Sequence, residues 1–242
     1  MNILITGASS GIGAAVARRY AALGHHLILC ARREDRLKAL AATLGDSAEI
    51  VLLDVRNRTA VERELGTREV DILINNAGLA SGMASAQTAE GDAWQAMIDT
   101  NVTGFVHCAR AVLPGMVIRN RGHLVSLSSV AGTYPYAGGN VYGATKAFVT
   151  QFSQSIRSDL LGTRVRVTNI EPGMVETEFS VVRFGGDEAK AKSVYAKMKP
   201  LTAEDIAECI VWATSLPAHV NINRLEVMPV DQAFGGFSVN RV

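Results

Sequence analysis

Tyr142 and Lys146 stand four residues apart, and on a helix that spacing stacks two side chains on one face, one turn from each other. The pair makes sense as an acid/base. A free phenol titrates near about 10, and an ammonium beside it favours the phenolate and draws that value toward neutrality, where proton transfer is efficient. Ser129 follows the strand-like run His123-Leu124-Val125-Ser126-Leu127, and the next loop is long enough to fold it back beside Tyr142. Its hydroxyl could donate to a developing alkoxide or a carbonyl oxygen. Taken alone, Tyr-x-x-x-Lys is equally an exposed helix pair, so the weight rests on the elements around it.

Behind Gly138, Gly139 and Asn140, the apolar positions Val141, Ala144, Phe148, Phe152, Ile156 and Leu160 predict a helix that starts near Asn140. At the other end of the chain, residues 2–6 predict a buried strand. It runs into Thr6-Gly7-Ala8-Ser9-Ser10-Gly11-Ile12-Gly13 and a helix to about Leu23. A glycine-rich turn between a strand and a helix N-terminus is an anion site: N–H groups and the helix dipole face a phosphate, and glycine lets the backbone approach. The spacing is G-x-x-x-G-x-G, not G-x-G-x-x-G, and the plain alternative is an ordinary strand-to-helix turn. A second strand, residues 26–31, ends in Arg32-Arg33. An NAD site has an acidic residue at this distance, roughly twenty residues on, whereas an arginine accommodates a 2′-phosphate. The pair therefore favours NADP over NAD. The alternative is two solvated arginines leading into a helix over residues 34–44.

A third strand, residues 49–54, ends in Asp54, which could accept from an adenine amino group or cap a helix. Residues 56–69 hold only a short helix. The fourth strand, residues 72–74, runs into Asn75-Asn76-Ala77-Gly78, where two amides and a glycine can tie neighbouring strands and admit a ribose, or form a turn. Residues 79–90 are small and polar and read as a loop at the site rim. Residues 94–119 have helical periodicity with Asn101 inside. A mid-helix asparagine is unfavourable, so Asn101 bends the helix, binds a water near Lys146, or faces solvent. Pro114 is expected to kink or end the first part of that run. A sixth strand, residues 164–170, ends in Glu171-Pro172-Gly173-Met174-Val175-Glu176-Thr177. The charged, poorly periodic stretch after it reads as a lid spanning about 173–200. Thr202-Ala203-Glu204-Asp205 caps a helix to Ser215, and residues 225–229 form a last strand.

Strand and helix alternate down the whole chain, which predicts an α/β fold: a doubly wound parallel sheet of about seven strands with helices on both faces. No linker or repeat divides residues 1–242, so one domain is expected. Ligands in such sheets sit at the carboxyl ends of the strands, where every motif above falls. With 24 basic and 23 acidic residues and no run of like charge, nucleic acid and anionic membranes are poor partners. Cys30, Cys108 and Cys209 are scattered, which fits a reducing, cytoplasmic compartment. No leader peptide and no apolar run of membrane-spanning length is expected. The five histidines lack ligand spacing, so no metal site is expected.

Thr6-Gly7-x-x-x-Gly11-x-Gly13, Asn75-Asn76-Ala77-Gly78, Asn101, Ser129, Tyr142-x-x-x-Lys146 and Pro172-Gly173 together resemble the short-chain dehydrogenase/reductase family over nearly the whole chain. The resemblance implies a Rossmann-type sheet, a nicotinamide cofactor and a Ser–Tyr–Lys–Asn catalytic set. By position, Tyr142 would be the acid/base, and Lys146 would lower its pKa and hold the nicotinamide ribose. Ser129 would polarise the carbonyl, and Asn101 would hold a relay water. Gly7, Ser9, Ser10, Gly11 and Ile12 would bind phosphates. Asp54 and Val55 would contact adenine, with Asn76, Ala77 and Gly78 along the ribose and Pro172, Gly173, Val175 and Thr177 at the nicotinamide. A homotetramer packed through residues 94–119 and 140–161 is also implied.

Within the family, residues 54–58, 110–116, 135–146 and 216–223 are similar to the NADP-dependent 3-hydroxy acid dehydrogenases. That group acts on L-allo-threonine, serine and 3-hydroxypropionate or malonic semialdehyde, and sulfoacetaldehyde reductases are its neighbours. The stretch 58–70 is shorter than is usual there. A small acid needs a cation in the site, and Arg183 in the lid is the candidate, its alternative being a solvated arginine. Tyr134 and Tyr136 are candidates for the pocket wall or for core packing. A protein that senses NADP(H) without chemistry shares such a fold, but it has no need of Ser129, Tyr142 and Lys146 together.

Overall fold

A computed structural model describes residues 1–234 of the chain; the last residues of the expected domain, 235–242, lie outside the described residues. The first strand sets the architecture. In β1 (Asn2–Thr6) the run Ile3, Leu4 and Ile5 has no exposed side chain. Successive strand residues point to opposite faces. Ile3 and Ile5 pack with Ala15, Val16 and Tyr20 of α1 (Gly11–Ala22), whereas Leu4 faces the opposite layer. A strand apolar on both faces belongs inside a sheet covered twice, and it pairs in parallel with β2 (His26–Ala31) on one side and β4 (Ile72–Asn75) on the other.

The seven strands run in the order β3-β2-β1-β4-β5-β6-β7, all parallel, with β3 at Ala48–Leu52, β5 at Gly122–Leu127, β6 at Val165–Pro172 and β7 at Arg224–Val227. The chain reverses its direction of travel between β1 and β4, which opens a crevice at their carboxyl ends. One helical layer holds α1, α2 (Glu34–Leu44) and α9 (Ala203–Ser215). The other holds α3 (Arg58–Leu65), α5 (Phe105–Ile118) and α6 (Asn140–Asp159). A capping box starts α9: Thr202 Oγ1 accepts from the Asp205 N–H while the Asp205 carboxylate accepts from the Thr202 N–H.

Four expectations change in the structure. First, α4 (Gly91–Ile98), a π turn at Asp99–Gly104 and α5 form one continuous helix of 28 residues, Gly91–Ile118, long and apolar enough by length and composition to cross a membrane. Cys108, Val112 and Met116 on it pack beneath the sheet, as in a core helix. Second, Pro114 lies inside α5 and does not end it. Burial of Val112 and Met116 on either side outweighs the loss of one N–H donor. Third, the stretch after β6 contains two short helices, α7 (Glu178–Arg183) and α8 (Glu188–Ser193), joined by Gly185 and Gly186 at positive φ. Each starts with a side-chain cap, Thr177 and Asp187, a local signal that periodicity does not detect. Fourth, β3 ends at Leu52, two residues before Asp54.

Candidate active site

The crevice at the switch point is a cleft of about 740 Å³. Its floor begins at the glycine turn. Gly7 and Gly11 hold φ values of +68° and +53°, conformations that L side chains rarely adopt, and a Cβ on Gly13 would stand 2.5 Å from the Gly7 carbonyl oxygen. The turn therefore needs its glycines. Ser10 makes no side-chain cap on α1, which leaves the helix start facing the cleft with its N–H groups and dipole. Asn76 closes the turn from behind, donating to the carbonyls of Thr6 at 2.9 Å and Gly7 at 3.3 Å. Ser9, Ser10, Ile12, Arg32, Arg33, Asp54, Val55, Ala77 and Gly78 complete this half of the lining. A phosphate cradle, flanked by arginines and followed by a narrow approach at Gly78, fits a phosphorylated dinucleotide. Asp54, expected at adenine, is chelated by Arg56 at 2.6–3.0 Å, which holds its carboxyl below the usual carboxylate range.

The other half contains the proton chemistry. Position 129 follows β5 and position 142 opens α6, and both side chains line the cleft, with Ser129 close enough to act on the Tyr142 phenol. Ser129 Oγ also donates to the Pro172 carbonyl at 3.3 Å and accepts from the Ala131 N–H at 3.1 Å. Lys146 lies one turn along α6, buried, and its Nζ donates to the Leu127 carbonyl at 2.7 Å. Burial dominates the electrostatics of this half. Burial pushes the Tyr142 phenol well above its ordinary value, with Tyr136 adding to the rise. The Ser129 hydroxyl and the Arg183 guanidinium oppose it without winning. Burial likewise lowers Lys146 to about 8. A dry environment disfavours both charged forms, and Nζ stands 5.8 Å from the tyrosine ring, bonded elsewhere.

Asn101 sits in the π turn, as a bend at that position predicts, but it does not line the cleft. Its carboxamide accepts from the Leu79 N–H at 2.8 Å and donates to the Leu79 carbonyl at 2.8 Å and Thr145 Oγ1 at 3.1 Å. A methyl on Gly78 would stand 3.2 Å from Asn101 Oδ1 and 3.6 Å from Lys146 Nζ, so both side chains border that glycine. Pro172, Gly173, Val175 and Thr177 line the same wall. Tyr136 lines it too, whereas Tyr134 points away to Glu226 at 3.3 Å.

Arg183 is not a solvated lid residue. Its Nη2 donates to the Tyr136 hydroxyl at 2.8 Å and its Nε to the Gly82 carbonyl at 3.1 Å. The guanidinium lies 5.6 Å from the Tyr142 ring centroid and 5.4 Å from that of Tyr136. Sequence reasoning missed Met97, Phe179, Glu178 and Tyr195. Met97 and Phe179 pack against Tyr142, and Glu178 and Tyr195 line the cleft. The cap at Thr177 is the only local signal near them.

Comparison with known proteins agrees with this geometry. The short chain dehydrogenase family model matches residues 1–185. The NADP-dependent 3-hydroxy acid dehydrogenase YdfG of Salmonella typhi is 54% identical over 247 residues, covering the whole of both chains. Serine 3-dehydrogenase of Agrobacterium fabrum is 51% identical over 99% of this chain and 98% of its own. Among solved structures, a closed form of serine dehydrogenase complexed with NADP+ superposes with a TM-score of 0.96 at 54% identity over the whole of both chains. The glycine turn, the switch-point cleft and the Ser129–Tyr142–Lys146 set thus sit on a backbone shared along its full length, and the chain belongs to the short-chain dehydrogenase family.

Proposed function

We propose that the chain is an NADP-dependent dehydrogenase that interconverts a small 3-hydroxy acid and its aldehyde or ketone. The observation that carries the reading is that Ser129, Tyr142 and Lys146 line one cleft with Arg183 above the tyrosine ring. NADPH supplies the hydride when bound, and NADP⁺ accepts it in the reverse direction. The residues do the rest. Gly7, Ser9, Ser10, Gly11 and Ile12 would take the phosphates, Arg32 and Arg33 make the adenosine end basic, as a 2′-phosphate requires, and Asp54, Val55, Asn76, Ala77 and Gly78 would seat the adenosine half. Pro172, Gly173, Val175 and Thr177 fix the nicotinamide end.

In reduction, Tyr142 donates its proton to the carbonyl oxygen while Ser129 donates a hydrogen bond to the same oxygen. In oxidation, Tyr142 takes the proton back. Its raised pKa keeps Tyr142 protonated for the acid role, and Lys146, one turn along α6, would hold the nicotinamide ribose. Asn101 pins Leu79 and backs Lys146, which suits a residue that orders a relay water. Arg183 pairs with the substrate carboxylate. A sulfonate meets the same arginine, so sulfoacetaldehyde is the second reading.

Residues 173–200 act as a lid over one catalytic domain, and the likeness to a closed-form relative supports a closed position. A homotetramer packed through α4, α5 and α6 is supported by half-exposed apolar residues on them, Ile98 and Phe148. A reducing cytoplasm suits the three free thiols. Initial rates with NADP⁺ and NAD⁺ on L-serine, L-allo-threonine and 3-hydroxypropionate, and with NADPH on malonic semialdehyde and sulfoacetaldehyde, test the reading. NADP-linked turnover of a 3-hydroxy acid is expected. Turnover of sulfoacetaldehyde alone would move the substrate, and tight NADPH binding without any turnover would overturn the reading in favour of a sensor.

A further inference from the structure

The two arginines after β2 have different surroundings. Arg33 is already fully engaged. Its Nε donates to Ser9 Oγ at 3.3 Å, its Nη2 to Ser9 Oγ at 3.1 Å and Ser10 Oγ at 2.8 Å, and its Nη1 to both Glu178 carboxylate oxygens at 3.0 and 3.2 Å. Five N–H groups are all a guanidinium has. Arg36, on the first turn of α2, donates to the same two oxygens at 2.7 and 2.8 Å. Arg32 lines the cleft and makes no hydrogen bond or ion pair among the described residues.

Glu178 is the first residue of α7, and the fork of Arg33 therefore bridges two parts of the site. One side holds the hydroxyls of the phosphate turn, and the other holds the first turn of the segment that covers the cleft. A 2′-phosphate reaching Arg33 would have to break that bridge and face a carboxylate of like charge. One reaching Arg32 finds its donors available.

We propose that Glu178 is a positioning residue that, through Arg33 and Arg36, ties the lid to the phosphate turn, leaving recognition of the 2′-phosphate to Arg32. The brace rests on the NADP-dependent reading only in the part given to Arg32. The tie itself holds any dinucleotide under the lid, because it acts on the pyrophosphate turn that NADPH and NADH share. Glu178 is neutralised by two arginines that a third, Arg32, does not join, so removing Glu178 loosens the lid while Arg32 keeps its place in the cleft.

The test is the dissociation rate of NADPH and of NADH, read by nucleotide fluorescence in stopped flow, for the full chain and for Glu178→Gln, Arg33→Gln, the double variant and Arg32→Gln. Glu178→Gln and Arg33→Gln are each expected to speed release of both cofactors about fivefold, the scale of a partly exposed ion pair. The double variant should fall short of the product of the two single effects, since both single variants remove the same Arg33–Glu178 pair. The ratio of the NADPH to the NADH rate should hold in all three and change only in Arg32→Gln. Slower release of NADPH alone in Glu178→Gln would show a carboxylate competing with the 2′-phosphate at Arg33 and overturn the proposal. Unchanged rates for both cofactors would also overturn it. If the unaltered chain releases the two cofactors equally and binds them equally, the NADP preference fails, while the brace is still read from the change common to both.

Discussion

Replacing Arg183 by alanine separates the roles that meet in the lid. The guanidinium spends Nη2 on the Tyr136 hydroxyl and Nε on the Gly82 carbonyl, and presents its remaining N–H groups beside the Tyr142 ring. A carboxylate held there would gain charge-assisted hydrogen bonds worth about 1.5–3 kcal/mol each. Two parallel bonds in a half-buried cleft, discounted for water that still reaches the rim, give about 3 kcal/mol, or roughly 150-fold in kcat/KM. The assay compares 3-hydroxypropionate with a neutral alcohol of similar length. The acid should lose roughly 100-fold or more, mostly as KM, whereas the alcohol should lose only a few-fold from the loosened Tyr136 contact. Arg183→Lys should fall between, because a point charge replaces a planar fork. Arg183 also holds the Tyr142 phenol down against burial, so its removal should move the acid limb of the pH–rate profile for oxidation upward for both substrates, since Tyr142 must be deprotonated to act as the base. Equal losses of kcat/KM for acid and alcohol would refute a carboxylate contact.

Three further outcomes are expected. Tyr142→Phe should cut turnover by about 10³-fold or more and leave NADPH affinity within a few-fold, measured by rates and fluorescence titration; retained activity would remove the acid/base role. His123 is buried on β5 with its Nε2 2.7 Å from Thr168 Oγ1, and burial lowers its pKa to about 3. The unfolded chain takes up that proton below about 6.5 and the folded one does not, so stability present above that value should fall as pH drops from about 6.5 toward 3. Thermal melts of His123→Gln across that range should show a shallower decline, and an identical slope would clear His123 of the effect. Gly13→Ala places its Cβ against the Gly7 carbonyl oxygen, so it should cost about 1–3 kcal/mol and weaken cofactor binding about tenfold, whereas Gly24→Ala, whose Cβ meets nothing within 4 Å, should leave binding unchanged.

Much of this molecule can be read along the chain because its signals are local. Three buried aliphatic residues in β1, a glycine turn behind them and Thr202 three residues before Asp205 each announce an element through near neighbours. What stays hidden depends on distance. Glu178 lies 145 residues from Arg33, and no spacing rule connects them. Asn101 is held by the Leu79 backbone, so its place in a π turn follows from packing and not from propensity. The direction of the Tyr142 shift is set by burial, a property of the assembled fold that the Tyr-x-x-x-Lys spacing does not carry.

The π turn at Asp99–Gly104 acts as a phase shifter. A regular helix advances about 100° per residue, and a wider turn offsets everything beyond it. Before the turn, Trp94 and Met97 pack into the apolar cluster that holds Tyr142. After it, Cys108, Val112 and Met116 are aimed under the sheet. One rod thus serves two interiors that are out of register with each other. Substitutions in its first half act on the packing behind Tyr142 while the second half keeps the sheet intact, but the loss of one residue between 99 and 104 would turn Trp94 and Met97 away from that tyrosine.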